Sequence, residues 1–179
     1  MLDAEAGDSP ATDRPVPWGS VVGGLVVALG ADQATKAWAV GALEPCSLRP
    51  RGTIDLCLAY NQGMAFSLGP SYGPLIAAVA VAIVASLLVM SRKVPELSTR
   101  VLMGVVAGGA LGNVVDRGLR ASTAGVPGGP FRGAVVDFLY SSFWPTFNIA
   151  DSCVVVGGIL LAVKLWRTPV EDEPRLPAP

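Results

Sequence analysis

The chain has 179 residues, 51% of them hydrophobic and 15% charged, with a formal net charge of −1 and a mean hydropathy of +0.53. That composition fits an integral membrane protein with one domain of a few spanning helices. The near-neutral balance without a basic cluster argues against a nucleic-acid partner or a polybasic lipid-surface site; the lack of histidine rules out Ser-His and Cys-His dyads and H-E-x-x-H zinc sites.

Residues 1–17 are rich in Pro and acidic side chains and are expected to form a disordered terminus. The first apolar run, Trp18–Ala39, does not read as a cleaved signal peptide. Asp3, Glu5, Asp8 and Asp13 outnumber Arg14 before it, no small-residue cleavage site follows, and Asp32 and Lys36 interrupt it. It is read as a retained helix on which Asp32 and Lys36, four apart, share a face. They form either a self-neutralising pair near the interface or an anchor for a site, and in both cases should face protein and not lipid.

In the loop at 40–71, Ile54, Leu56, Leu58 and Tyr60 alternate with Thr53, Asp55, Cys57 and Ala59, the period of a half-buried strand. Asn61-Gln62-Gly63 reads as a turn, followed by the apolar Met64-Ala65-Phe66. Cys46 and Cys57 can pair on the oxidising side or stand as two free thiols; both readings stay open. Cys153 reads as a small apolar packing residue, and the three cysteines lack a metal-ligand spacing.

The second run, Tyr72–Met90, has Ser86 as its one polar residue from Leu75 onward. The third, Arg100–Val115, carries Gly104, Gly108 and Gly112 on one face, a stripe that admits a close helix neighbour. It ends in Gly-Asn-Val-Val-Asp-Arg at 112–117. Arg117 beside Asp116 favours the charged carboxylate, which suits a structural tether better than a proton carrier. After a Gly/Pro-rich stretch at 118–133, Ala134–Leu139 has strand character, and Asp137 interrupts it. A carboxylate facing a strand's core side needs a partner or a purpose. The fourth run, Phe147–Trp166, opens with Phe-Asn-Ile-Ala-Asp-Ser at 147–152. There Asn148 reads as an N-cap, with Asp151 favourably placed at the helix dipole's positive end. Residues 167–179 again read as disordered.

The expected fold is an all-α integral membrane protein: four transmembrane helices over 18–166 with a small extracytoplasmic β-sheet and loops. Four spans place both termini and the loop at 91–100 on one side. Seven of the 13 basic residues fall there and six on the other, which decides little. Arg92, Lys93 and Arg100 nonetheless crowd one short loop, and this assigns it and both termini to the cytoplasm.

If the strand at 134–139 folds back over the membrane edge, Asp137 and Asp151 can meet. Two carboxylates within hydrogen-bonding reach share one proton. The ionised member can take a proton from water while the other donates to a scissile carbonyl. A Ser-Lys dyad with Lys36 remains formally open, though no serine sits in a nucleophile motif. A proton-coupled carrier is a competing class, but the polar residues gather at one membrane face and do not line a path. A lipid-binding scaffold is a third.

Five blocks in chain order resemble the bacterial lipoprotein signal peptidases, or signal peptidase II: Asp32-Gln33-Ala34-Thr35-Lys36, Asn61 to Phe66, Gly108 to Arg117, Val135-Val136-Asp137-Phe138 and Phe147 to Ser152. The resemblance spans about 20–166. It implies an aspartic endopeptidase of the cytoplasmic membrane, without cofactor or metal. Such an enzyme cuts the signal peptide from diacylglyceryl-modified prolipoproteins on the N-terminal side of the lipidated lipobox cysteine. It maps the catalytic pair to Asp137 and Asp151, and substrate-binding or supporting roles to Asp32, Lys36, Asn61, Gly63, Asn113, Asp116, Arg117, Asn148 and Ala150. Membrane lipid and the cyclic peptide inhibitor globomycin are implied as partners. The stretch between Arg117 and Asp137 is longer than the family pattern, which keeps Asp116 as an alternative to Asp137.

Overall fold

The computed structural model describes residues 18–47, 52–63, 72–122 and 128–167. The apolar runs become four helices: α1 (Gly19–Ala42), α2 (Gly73–Ser91), α3 (Leu97–Leu119) and α4 (Ile149–Arg167). Between them lie strands β1 (Ile54–Asn61), β2 (Val135–Ser141) and β3 (Trp144–Phe147). Of the termini expected to be disordered, Arg167 is described, and it closes α4 as helix. Residues 1–17 and 168–179, the apolar Met64-Ala65-Phe66 and the 123–127 part of the Gly/Pro-rich loop lie outside the described residues.

Three helices, α2, α3 and α4, are long and apolar enough to cross a membrane. The first helix has the length, at 24 residues, but Asp32, Gln33 and Lys36 lower its hydropathy. On this measure three of the four expected spans are matched. The outward faces of α2 and α4 are apolar and exposed, with Leu75, Val79 and Ile83 on one and Ile159, Leu160 and Leu165 on the other. This inverts the pattern of a water-facing helix and is what a lipid-facing one requires.

The third helix is the hub and packs against the other three. Its glycine stripe is the seam with α1. A Cβ on Gly104 would lie 2.1 Å from the Val21 carbonyl oxygen, and one on Gly108 would lie 2.4 Å from that of Leu25. Gly109, one position round, admits α4 in the same way, 2.6 Å from the Ala150 carbonyl oxygen. At the far end from the sheet, Glu96 precedes α3 and accepts hydrogen bonds from Ser98 (2.5 Å) and Thr99 (2.6 Å). Lys164 of α4 pairs with the same carboxylate.

The sheet is antiparallel in the order β1-β2-β3. Its middle strand is buried from Val135 to Phe138, and Phe138 meets Trp38 of α1 edge to face at 6.3 Å. The sheet departs from expectation in two places. The apolar alternates of β1 are its outer face: Ile54, Leu56 and Tyr60 are exposed while Cys57 is fully buried. A Cys46–Cys57 disulfide, left open by the sequence, turns that face inward. Cys57 and Leu58 also form a bulge opposite the single residue Phe138. The backbone of Leu58 leaves the ladder there, donating to the Glu44 carbonyl (2.9 Å) and accepting from the Cys46 N–H (3.0 Å). The second is an addition: the first residue of the run Phe147–Trp166 belongs to an unexpected strand, β3. Its Phe147 pairs with Leu139 and its Trp144 with Ser141, and α4 begins at Ile149, directly after the N-cap expected at Asn148.

Candidate active site

The polar residues that interrupt the apolar runs meet where the sheet covers the ends of α1, α3 and α4. Asp32 and Lys36 are both completely buried and paired at 2.8 Å, facing protein as expected. Lys36 also pairs with Asp116 at 3.0 Å and donates to Asn113 Oδ1 at 2.9 Å. One ammonium therefore satisfies two carboxylates and an amide, using its three donors. Such a buried cation holds its neighbours in place more than it stabilises the fold outright.

Each of the two outlying aspartates ties separate elements together. Asp32 Oδ1 accepts the Ala150 N–H (3.0 Å) in the first turn of α4, one of the four amides a helix start leaves without an internal partner. Asp116 accepts the Val136 N–H (3.1 Å), which joins α3 to β2. Its cationic partner after Lys36 is Arg120, at 2.9 Å, and not the adjacent Arg117. Consecutive helical residues diverge by about 100°, whereas i and i+4 share a face, so Arg120 makes the ion pair while Arg117 acts on Asp116 through its charge. Arg117 is buried, and its Nη1 has no hydrogen-bond partner among the described residues. Its charge interacts with Asp137, Asp116 and Asp151.

Asn148 and Asp151 form a reciprocal capping box at the start of α4. Asn148 Oδ1 accepts the Asp151 N–H (3.0 Å), and Asp151 Oδ2 accepts the Asn148 N–H (3.1 Å). The Asn148 amide Nδ2 is left to point into the sheet. There it donates to Asp137 Oδ1 at 2.7 Å and lies 3.2 Å from both the Val136 carbonyl and Asn113 Oδ1. Asp151 Oδ1 accepts from Asn113 Nδ2 at 2.8 Å, and Asp137 Oδ2 accepts from Asn61 Nδ2 at 3.1 Å. Each carboxylate is thus held at both oxygens by neutral amide or backbone donors and carries no direct ion pair among the described residues. Asn61 is itself fixed, because its Oδ1 accepts the Gly63 N–H at 2.9 Å. Gly63 has φ +101°, a conformation that favours glycine.

Burial pushes the Asp137 carboxyl from 3.8 to about 7, with the nearby Asp151 charge adding to the rise; the Asn61 and Asn148 amides oppose it and lose. A carboxyl in that range holds a proton near neutral pH and can release it.

Ten of the eleven residues singled out from the sequence stand in this one network, with Gly63 and Ala150 contributing backbone N–H groups. Arg117 joins through its charge. Two residues were missed. Gln33 Nε2 donates to Asp32 (3.0 Å) and to the Gly112 carbonyl (3.2 Å) and reaches Asp116 (3.4 Å), and Arg120 neutralises Asp116. The i+4 spacing of Arg120 was a usable signal; Gln33 stands in the first of the resembling blocks, beside Asp32, without a role assigned to it.

A family model described as signal peptidase (SPase) II matches residues 25–167. The lipoprotein signal peptidase of Mycobacterium avium is 40% identical over 137 residues, covering 75% of this chain and 72% of that protein. The one from Mycobacterium bovis is 36% identical over 165 residues, covering 89% and 78%. A solved bacterial membrane enzyme at 2.3 Å superposes with a TM-score of 0.67 at 23% identity, over 88% of this chain and 95% of that one, a likeness of fold. With the match covering most of its length, the chain belongs to the signal peptidase II family.

Proposed function

We propose that the chain is an aspartic endopeptidase that removes signal peptides from diacylglyceryl-modified prolipoproteins, with Asp137 and Asp151 as the catalytic pair. Family membership carries the coarser statement, prolipoprotein signal-peptide cleavage. The observation that supports the pair is Asn148, which donates to Asp137 through its side chain and to Asp151 through its backbone. One residue therefore fixes two carboxylates of opposite task. Asp116 is the weaker candidate because Lys36, Arg120 and the Val136 N–H occupy it.

In the reaction, Asp151 takes a proton from water, and the resulting hydroxide oxygen bonds to the scissile carbonyl carbon. Asp137 gives its proton to the carbonyl oxygen, producing a neutral gem-diol. Collapse breaks the C–N bond as a proton passes to the departing amine of the lipid-bearing cysteine. The amides of Asn61, Asn113 and Asn148 hold both carboxylates without neutralising them, so either can carry the shared proton.

The same reading places four helices across the cell membrane, with both termini cytoplasmic and the sheet on the outer face. The disulfide beside β1 supports an oxidising location for that face. In α1 the charged pair is buried against α3 while Val26 and Val27 remain exposed, as a span with an inward polar face requires. Globomycin is expected to compete for this cleft.

The test is cleavage of a diacylglyceryl-modified prolipoprotein peptide by purified protein. Asp137→Asn and Asp151→Asn should abolish turnover at matched folding while Asp116→Asn retains some. Activity kept in Asp137→Asn and lost in Asp116→Asn would move the pair to the end of α3. No cleavage by folded wild-type protein would sink the peptidase reading.

A further inference from the structure

A cleft of about 360 Å³ leads away from Asp151 between the β2–β3 hairpin and α4. Leu139, Phe143, Trp144 and Phe147 form one wall and Val155 and Val156 the other; Asp151 and Ser152 lie in its lining. Val155 and Val156 are each 56% exposed, on a helix apolar enough to cross a membrane. The cleft therefore joins the apolar outer face of α4 to one catalytic carboxylate. Phe143 and Trp144 are 75% and 63% exposed at the hairpin tip, aromatic residues of the kind that sit at a membrane–water boundary.

The lining selects the occupant. A peptide segment brings a backbone N–H and C=O at each residue, and each needs a partner once water is excluded. The strand at that edge is a poor donor, because Pro145 has no N–H and β2 is already paired on both sides. An alkyl chain needs no such partner. We propose that this cleft receives an acyl chain of the substrate's diacylglyceryl-cysteine, entering sideways from the bilayer past Val155 and Val156. The inference rests on the peptidase reading: the lipid-bearing cysteine adjoins the scissile bond, so its acyl chains must leave from beside Asp151.

Photo-cross-linking tests it, using full-length Asp137→Asn protein to trap uncleaved peptide. A lipobox peptide with a diazirine near the end of its acyl chains should label residues 139–147 and 152–156. The same peptide with the diazirine on a signal-sequence leucine should label elsewhere. The outward-facing substitution Val156→Phe should cut acyl labelling about tenfold. In otherwise wild-type enzyme it should raise KM for a sixteen-carbon diacyl substrate by about the same factor, and much less for a six-carbon one.

Three results overturn the proposal: acyl adducts that fall outside the cleft; leucine-probe adducts inside it; or equal labelling by diazirine-phosphatidylcholine that excess peptide does not displace. If wild-type protein cleaves the peptide and the adducts miss the cleft, only this inference fails. If it cleaves nothing, the peptidase reading fails and this inference with it.

Discussion

Asp137→Asn should make the protein more stable relative to wild type as pH rises, while removing its activity. Burial and the Asp151 charge lift the Asp137 carboxyl from 3.8 to about 7. Below pH 3.8 the carboxyl is protonated in both folded and unfolded chains and contributes no penalty. Between 3.8 and 7 the unfolded chain releases its proton and the folded one keeps it, so wild-type stability falls with rising pH. At 1.36 kcal/mol per pH unit the accumulated cost is about 4 kcal/mol above pH 7. For a chain of this size that corresponds to roughly 8–16 °C in Tm. Asparagine cannot ionise and escapes this cost, although its amide N–H must face Asn61 or Asn148 where an acceptor stood. That loss is the same at every pH, so the pH trend isolates the charge. Thermal unfolding of both proteins in detergent between pH 4 and pH 8, followed by tryptophan emission, should give Tm curves that diverge steadily. Parallel curves would refute the buried, proton-sharing carboxyl and the division of roles built on it.

Wild-type turnover should decline as pH rises through about 7, because Asp137 then loses the proton it must donate; a pH–rate profile flat to pH 9 would contradict this. Lys36→Met leaves Asp32 and Asp116 without their common cation and should cost about 3–5 kcal/mol, read as a lowered Tm that Asp116→Asn in the same chain partly restores. Gly112→Ala puts a methyl 2.4 Å from Asp32 Oδ2, and parting α1 from α3 should cost about 1–3 kcal/mol of stability and reduce kcat. Replacing both Cys46 and Cys57 by serine releases the link between β1 and the end of α1, whose cysteines are 11 apart in sequence. This should cost about 3 kcal/mol and lower activity through Asn61, while a thiol count on unfolded, unreduced wild-type protein should find Cys153 alone.

The helices were legible because an apolar run of bilayer length has few alternatives, and the candidate site because polar and ionisable residues within or at the ends of such runs are conspicuous. Asp32, Lys36, Asn113, Asp116, Asn148 and Asp151 all declared themselves this way. Details set by tertiary pairing were hidden. The glycine stripe announces a close neighbour without naming it, and only the packed bundle makes that neighbour α1. The inner face of β1 was misread because a disulfide and a bulge outweigh hydrophobic alternation in a strand whose outer face is itself apolar. Four residues containing a proline gave β3 too little pattern to be read as a strand, although the N-cap at Asn148 marked the start of α4. Arg117 acts on Asp116 through its charge, and the ion pair falls instead to Arg120, one helical turn on.

The glycine seam and the buried polar network are one construction. Gly104 and Gly108 bring α1 within backbone contact of α3. The next position of the stripe, Gly112, faces the Asp32 carboxylate instead of a backbone atom. That same carboxylate binds Lys36 and the Ala150 N–H, so the α1–α3 spacing sets where α4 begins. The start of α4 is the Asn148–Asp151 capping box, which in turn reaches Asp137. A shift of α1 by the width of a methyl therefore reaches both proposed catalytic carboxylates through three short contacts. A close-packed seam also resists such a shift, since bulk added there has no room to relax. Rigid helix packing thus takes the place of direct ion pairs in fixing the two carboxylates, as the proposed sharing of a proton requires.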